Sequence, residues 1–559
     1  VAAASSAGDT PPASAIPKGE VTKYTFGPSK IFPGTVRDYW VYVPKQYDPA
    51  KPACVYINQD GIQYNAPAVF DELIHKKEMP VTIGVFVRPG VVKALSPQAL
   101  DRYNRSFEYD GLGPQYAEFL LEELLLDVEK KTTSDGRPIR LSRDGNDRCL
   151  AGASSGAAGS FTAAWERPDA FRRVFSAIGT YIGLRGANVY PILIRKVEPK
   201  PIRIFLQDGS NDANAFGGDF WMANQEMERA LTFAGYEVNH AWGDGGHDGK
   251  HATQIFPDAM RWLWKDWPAP VKAGAGSPQL RDLLIPGEGW KLVGDGYRHT
   301  GGSAVNSDGE VFFVAIDKSY KIGLDGKISV LDADTSASAQ AFGPDGRLYA
   351  TTHKNKLLAY DAGGKKSVIA EGFDGTDLVV GHDGGLYVTL PESWHHSGAR
   401  SKIWYVNPKG EKRIVESHLP SVSAVTLSPD QSLLYVADPQ SQWVYSCQIQ
   451  EGGSLANLQP YYHLHVSDNA GVSLAYGMRV DREGRLWVAT EMGIQVCDQA
   501  GRVLCIIPTF RESACEICFG GKDLDTLYAF CTDKVYKRKV KVKGVLPFQA
   551  PFKPKAPQL

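Results

Sequence analysis

The sequence has no run of about 18 apolar residues, the length a helix needs to cross a bilayer, so no membrane-spanning helix is expected. It has no excess of either charge. Against 61 Lys and Arg stand 63 Asp and Glu, for a formal net charge of -2, which removes the electrostatic case for nucleic acid or an anionic membrane as partner. Eight cysteines in 559 residues are too few for a disulfide framework. Cys515 and Cys518 have CxxC spacing, yet no second CxxC accompanies them and tetrahedral zinc wants four ligands. In their apolar, strand-like context they read as buried structural thiols. His247 and His251 are four apart, but no Glu follows the first, so the H-E-x-x-H form of zinc hydrolases is missing too.

What is present begins with length. A chain of 559 residues exceeds one ordinary core, and at least two domains are expected. Residues 1–17 are a Ser/Ala/Pro-rich lead, read as disordered. A removed export signal would account for it, and a secreted or periplasmic location is the expectation. Then come short β-rich runs, Asp38–Pro44 and Ala53–Asn58, and a continuous apolar run, Val81–Val87, of the kind a parallel strand buried on both faces requires. Tyr116–Val128 and Asp258–Trp264 have helical spacing of apolar residues. Strands alternating with helices over residues 18–268 predict an α/β domain with a mostly parallel sheet.

Within it, Cys149–Gly159 reads as strand, tight turn and small-residue helix, and Gly152-Ala153-Ser154-Ser155-Gly156 has the G-x-S-x-G form of a nucleophile elbow. By itself that pentapeptide is cheap. Downstream, the run Pro201–Leu206 opens into Gln207-Asp208-Gly209-Ser210-Asn211-Asp212, and Tyr236–Trp242 into Gly243-Asp244-Gly245-Gly246-His247. An acid and then a histidine thus each follow a strand, in the order an α/β-hydrolase triad demands. Position leaves rivals: Ser155 and Ser160 beside Ser154; Asp208 and Asp219 beside Asp212; His251 beside His247. The turn after the second strand, Asp60-Gly61-Ile62, is placed to supply an oxyanion-hole amide from Gly61 or Ile62, with Ser155 N–H as the other donor. Trp221 and Trp242 are candidates for the wall of an aryl or sugar pocket, against ordinary core packing.

These pieces, with Tyr42-Val43-Pro44, Asn58-Gln59-Asp60-Gly61 and Glu118–Leu124, resemble the esterase-D/enterochelin-esterase-like branch of the α/β-hydrolases, which includes feruloyl and acetylxylan esterases. The resemblance covers roughly residues 20–268. It implies Ser154 as nucleophile, His247 as base and Asp212 as orienting acid, with an acyl-enzyme intermediate and no metal or other cofactor. The substrate expected is a small or polysaccharide-linked ester, feruloyl or acetyl in kind. A siderophore or lactone ester is the alternative, as is a ligand-binding propeller carrying a degenerate hydrolase.

Residues 269–284 are Pro/Ala/Gly-rich and read as a linker. Beyond them, over 285–545, a turn followed by an alternating strand recurs six times, at Ser307-Asp308-Gly309, Pro344-Asp345-Gly346, His382-Asp383-Gly384, Pro429-Asp430-Gln431, Arg482-Glu483-Gly484 and Lys522-Asp523-Leu524. Units of about 40–50 residues repeated six times predict a six-bladed β-propeller. Residues 546–559 are read as a tail, and the Lys-rich stretch from Lys534 as a last edge strand with its charges toward water. Gly477–Asp481 and Val425–Asp430 resemble the gluconolactonase/regucalcin group, whose members hold a divalent cation on the axis with Glu, Asn and Asp. At the matching positions stand Gly301, Thr376, Ser423 and Tyr476, which implies that the lactonase site is lost. Asp374, Asp377, His395 and His396 are candidates for another polar pocket on the axis, or for solvated loops.

Overall fold

A computed structural model describes residues 16–557 except 317, 334–335, 373–374, 391–400, 469 and 510–513. The chain divides into two compact units, Val1–Arg195 with Pro199–Gly274, and Lys196–Glu198 with Ala275–Leu559.

The first unit is built on one eight-stranded sheet. Its strands are β1 (Glu20–Phe26), β2 (Arg37–Val43), β3 (Cys54–Gln59), β4 (Thr82–Val87), β5 (Arg148–Ala153), β6 (Arg173–Ala177), β7 (Arg203–Gly209) and β8 (Glu237–Gly243). They lie in the order β1-β2-β4-β3-β5-β6-β7-β8. From β4 to β8 every pairing is parallel, while β1 and β2 join antiparallel at one edge. Every residue of β3, β4, β6 and β7 is buried, which is why these strands read as unbroken apolar runs rather than alternating ones. Aromatic rings fill one face: Tyr56, Phe70, Phe86, Phe175, Phe205 and Phe256 pack in a single cluster.

Three helices position the site: α1 (Ser155–Glu166), α2 (Phe220–Phe233) and α3 (Lys250–Trp264). The carbonyls that end α3 are held by two buried arginines. Arg173 Nε donates to Leu263 O at 2.8 Å, and Arg203 Nη1 donates to Leu263 O and Lys265 O at 3.1 and 2.7 Å. Cations at a helix C-terminus satisfy orphan carbonyls and oppose the helix dipole, so the segment after His247 is anchored at its far end. Strand β7 runs three residues beyond its apolar run, because Gln207, Asp208 and Gly209 pair with Ala241, Trp242 and Gly243 of β8.

The second unit is a six-bladed propeller of four-stranded antiparallel sheets. Its innermost strands, Thr300–Val305, Ala337–Phe342, Asp377–Val380, Ala424–Leu427, Gly477–Val480 and Glu516–Gly520, contact one another in a ring. The repeated turns explain the glycine pattern: Gly309, Gly346, Gly384 and Gly484 take φ of 86, 76, 83 and 78°. In the two blades without glycine, Gln431 and Leu524 hold the same left-handed conformation at φ 55 and 56°.

Three sequence expectations change here. The Lys-rich strand Lys534–Lys539 is not an edge: Lys291–Gly294 pairs with its outer side and Thr526–Cys531 with its inner side. The sixth blade is therefore closed by a strand from the start of the propeller, which no local pattern reveals. The stretch read as a linker is largely ordered. Val271 is buried, its N–H bonded to Asn146 Oδ1 at 3.0 Å. Ser277 caps a short helix, Pro278–Leu283, whose Leu280 and Leu283 enter the core of the second unit. The tail likewise begins inside that unit, with Leu546 buried.

Candidate active site

Ser154 stands between β5 and α1 with φ 57° and ψ -126°, a conformation disfavoured for a side-chain-bearing residue. The flanking glycines are what make it possible. A Cβ on Gly152 would sit 2.4 Å from Gly156 O, and one on Gly156 would sit 2.9 Å from Gln59 Cβ. The turn thus lifts the Ser154 hydroxyl above the C-terminal edge of the sheet, where the loops after β3, β7 and β8 converge.

The structure brings three of the predicted residues together. Ser154 Oγ lies 2.9 Å from His247 Nε2, and His247 Nδ1 lies 2.6 Å from Asp212 Oδ1. Asp212 is enclosed, whereas His247 keeps 31% of its side chain exposed. The carboxylate is therefore shielded while the imidazole faces the approach of a substrate. The rivals lie elsewhere. His251 Nδ1 faces Gln207 Nε2 at 3.2 Å, Ser160 Oγ receives Gln59 Nε2 at 3.4 Å, and Asp219 caps α2 by accepting from Met222 N–H at 2.9 Å. Asp208 is buried at the end of β7, and burial together with neighbouring Asp212 pushes its carboxyl up to about 8.

For the oxyanion-hole donors the structure makes a correction. Gly61 N–H is already bonded to Val87 O at 3.1 Å, because the turn continues the β3–β4 ladder by one bond. Ile62 N–H has no acceptor among the described residues, and Ser155, first residue of α1, has an N–H that the helix leaves free. Those two amides are the available donors. The tryptophans pair with each other: Trp221 meets Trp242 edge to face at 5.4 Å, and His240 stacks on Trp242 at 4.6 Å. The ring that touches His247 is Phe220, edge to face at 4.6 Å.

On the propeller axis, Gly301 lies within the first inner strand, and Thr376, Ser423 and Tyr476 immediately precede three others. Their chemistry does not fit the divalent cation of the resembled family. None carries a carboxylate, and Thr376 and Ser423 donate to the carbonyls of Ser423 and Ala475 at 3.5 and 2.5 Å. Among the described residues no group of three His, Cys, Asp or Glu is placed to share a metal ion. Asp374, His395 and His396 lie outside the described residues. Asp377 is buried, accepting from Leu378 N–H and Val425 N–H at 2.9 Å each.

Comparison with known families follows this division. Residues 33–267 match the family model described as "Putative esterase", and residues 300–531 the one described as "SMP-30/Gluconolactonase/LRE-like region". The chain joins an esterase-family domain to a gluconolactonase-like propeller. A gluconolactonase of Zymomonas mobilis is 24% identical over 234 residues, 38% of this chain, and the match spans 65% of that curated relative's length. Among solved structures, a gluconolactonase from Xanthomonas campestris is similar at 20% identity and TM-score 0.42, over 47% of this chain and 93% of that one. A ferulic acid esterase is similar at 18% identity and TM-score 0.34, over 44% and 99%. An enterobactin esterase from Shigella flexneri is similar at 17% identity and TM-score 0.35, over 45% and 62%.

In the esterase-family domain several further residues support the site. Thr180 Oγ1 lies 3.1 Å from Ser154 Oγ, and Thr180 N–H donates to Ser154 O at 3.2 Å. Buried Asn58 braces the oxyanion turn, its Nδ2 donating to Gln59 O and Gly61 O at 2.6 and 2.9 Å. Arg105 holds Asp60 of the same turn with two bonds of 2.9 Å. A polar residue closing a strand, as Asn58 does, is the one signal from which such a brace is readable.

Proposed function

We propose that the protein is a serine carboxylic-ester hydrolase in which Ser154, His247 and Asp212 act as a triad. The observation that carries this reading is the continuous pair of contacts from Ser154 Oγ through His247 to Asp212 Oδ1, at 2.9 and 2.6 Å. A serine hydroxyl is a weak nucleophile until an imidazole accepts its proton, and a carboxylate on the other ring nitrogen sets the tautomer that can do so. Ser154 Oγ attacks the ester carbonyl as His247 Nε2 takes its proton. The developing oxyanion is met by the N–H groups of Ser155 and Ile62. His247 then protonates the departing alcohol, leaving an acyl-enzyme, and activates the water that releases the acid.

The acyl group we propose is a hydroxycinnamoyl one, as in feruloyl esters of plant polysaccharide, in preference to acetyl. Large apolar side chains stand exposed on segments tied to the site. Phe216, 97% exposed, follows Asp212 by four residues, and Phe107 lies on the helical turn that carries Arg105. Exposed rings on the segments that carry site residues suit an aryl acyl chain better than a two-carbon one. A panel of methyl ferulate, acetylated xylan and a catecholate trilactone, run on the wild type and Ser154→Ala, tests both levels. Hydrolysis of methyl ferulate that vanishes in Ser154→Ala is expected. Preference for the trilactone would move the substrate to siderophores, and activity surviving in Ser154→Ala would end the triad reading.

A further inference from the structure

Asp208 closes β7 four residues before Asp212, and its side chain is fully enclosed. Its Oδ1 accepts from Gly209 N–H at 2.7 Å, while its Oδ2 meets no donor among the described residues. Asp212 is in the matching situation. Its Oδ1 receives His247 Nδ1–H at 2.6 Å and Ala213 N–H at 2.5 Å, and its Oδ2 is likewise enclosed without a donor. The turn between them is closed by Asp212 N–H donating to Gly209 O at 3.0 Å, and the neighbouring Asp212 carboxyl is one of the groups that raise the Asp208 carboxyl. Two charged carboxylates so placed, out of contact with water, repel and leave two acceptors unsatisfied; one proton between them turns the pair into a donor and an acceptor. The proton belongs on Asp208, because Asp212 has its charge met by two N–H groups, one of them on the histidine.

We infer that Asp208 is a positioning residue: as a neutral carboxylic acid it donates a hydrogen bond to Asp212 Oδ2 and fixes the carboxylate that steadies His247. This rests on the triad reading above. The other groups around Asp208 leave that role to it. From α2 comes neutral Asn224, whose two Nδ2 hydrogens go to Gly179 O and Phe220 O at 2.9 and 3.0 Å, and from β8 comes Trp242, its register partner. Asp212 and, through it, His247 are the ionisable groups that face it. Burial and the neighbouring carboxyl hold the Asp208 proton up to about 8. Above that value both carboxyls are charged and Asp212 is pushed away from its place.

Asp208→Asn keeps a donor and cannot titrate; Asp208→Ala removes the donor. Wild-type kcat is expected to fall on the alkaline side of about 8, and Asp208→Asn to keep kcat near the wild-type value while losing that alkaline fall. Asp208→Ala is expected to lose about tenfold or more in kcat with KM little changed, the scale of a misplaced catalytic group. A merely structural role lowers the melting temperature of both variants and leaves the alkaline limb where it was; that result, or wild-type kcat in Asp208→Ala, overturns the inference. If Asp208→Ala does not fold, the infrared spectrum of Ser154→Ala protein at neutral pH decides. A protonated-carboxyl C=O band that disappears when Asp208→Asn is added supports the inference, and its absence refutes it, whether or not Ser154 proves to be the nucleophile.

Discussion

In the esterase-family unit His247 sits between a hydroxyl and a carboxylate with 31% of its side chain open to solvent. In the propeller Arg479 is also set among acidic and hydroxyl groups, but enclosed, with 17% of its side chain exposed and 6% of that of its partner Glu516. The two clusters draw on similar residue types and end in opposite states. Arg479 donates to Met478 O at 2.6 Å, to Ser303 O and Oγ at 2.7 and 3.0 Å, and meets Glu516 at 3.3 Å. Both of its terminal nitrogens are bonded within the fold. Around Ser154 the fold instead leaves capacity over: two N–H groups without acceptors among the described residues, a raised hydroxyl and an imidazole with about a third of its side chain exposed. A polar cluster whose bonds are all internal holds a structure together, and one with bonds left over can act on something else.

The largest way to break this contrast is in the open cluster. His247→Ala should lower kcat on an aryl ester by roughly a million-fold, the scale seen when a triad histidine is removed, with the melting temperature unchanged. Rate measurements beside a thermal melt check this, and a loss under a hundredfold would contradict it. In the closed cluster the cost should fall on stability. Arg479→Met leaves the acceptors Ser303 O and Glu516 without their donor, which costs about 1–3 kcal/mol for each buried group left unsatisfied, and kcat on the aryl ester in the folded protein should not change. Calorimetry with an activity assay separates the two effects.

A smaller effect follows from pH. Burial holds the Glu516 carboxyl up at about 8 and that of Asp377 at about 6, above their ordinary values, so between the ordinary carboxylate range and these values the folded propeller binds more protons than the unfolded chain. Its stability should therefore be greatest toward the acid side of that window and decline as pH rises through about 8. Glu516→Gln should flatten the slope, as denaturant melts across the range will show. The smallest expected effect is that of a chelator. The proposed triad calls for no cation, so ester hydrolysis should be unchanged by EDTA, and a chelator-sensitive rate would return metal chemistry to the account.

How much of this the sequence disclosed depended on whether a residue acts locally. Ser154 was legible because G-x-S-x-G records the steric demands of its own turn, and His247 and Asp212 because each follows a strand by a few residues. The six blades were legible because one turn recurs in each and repeats one left-handed position, held by glycine in four of them. The choice between Gly61 and Ile62 was not legible, since whether the Gly61 amide is free depends on Val87 across the sheet. The closing strand Lys291–Gly294 was missed for a like reason: its partner Lys534–Lys539 lies at the other end of the propeller. Asp208 stood only as a rival to Asp212, because its burial depends on where β7 ends.

The most direct test is a fluorophosphonate, which reacts with a serine only where a base has activated it, followed by peptide mapping of the wild type and His247→Ala. One phosphonyl group on Ser154 in the wild type and none in His247→Ala is the predicted result. Equal labelling of both proteins, or labelling at another residue, would contradict the account.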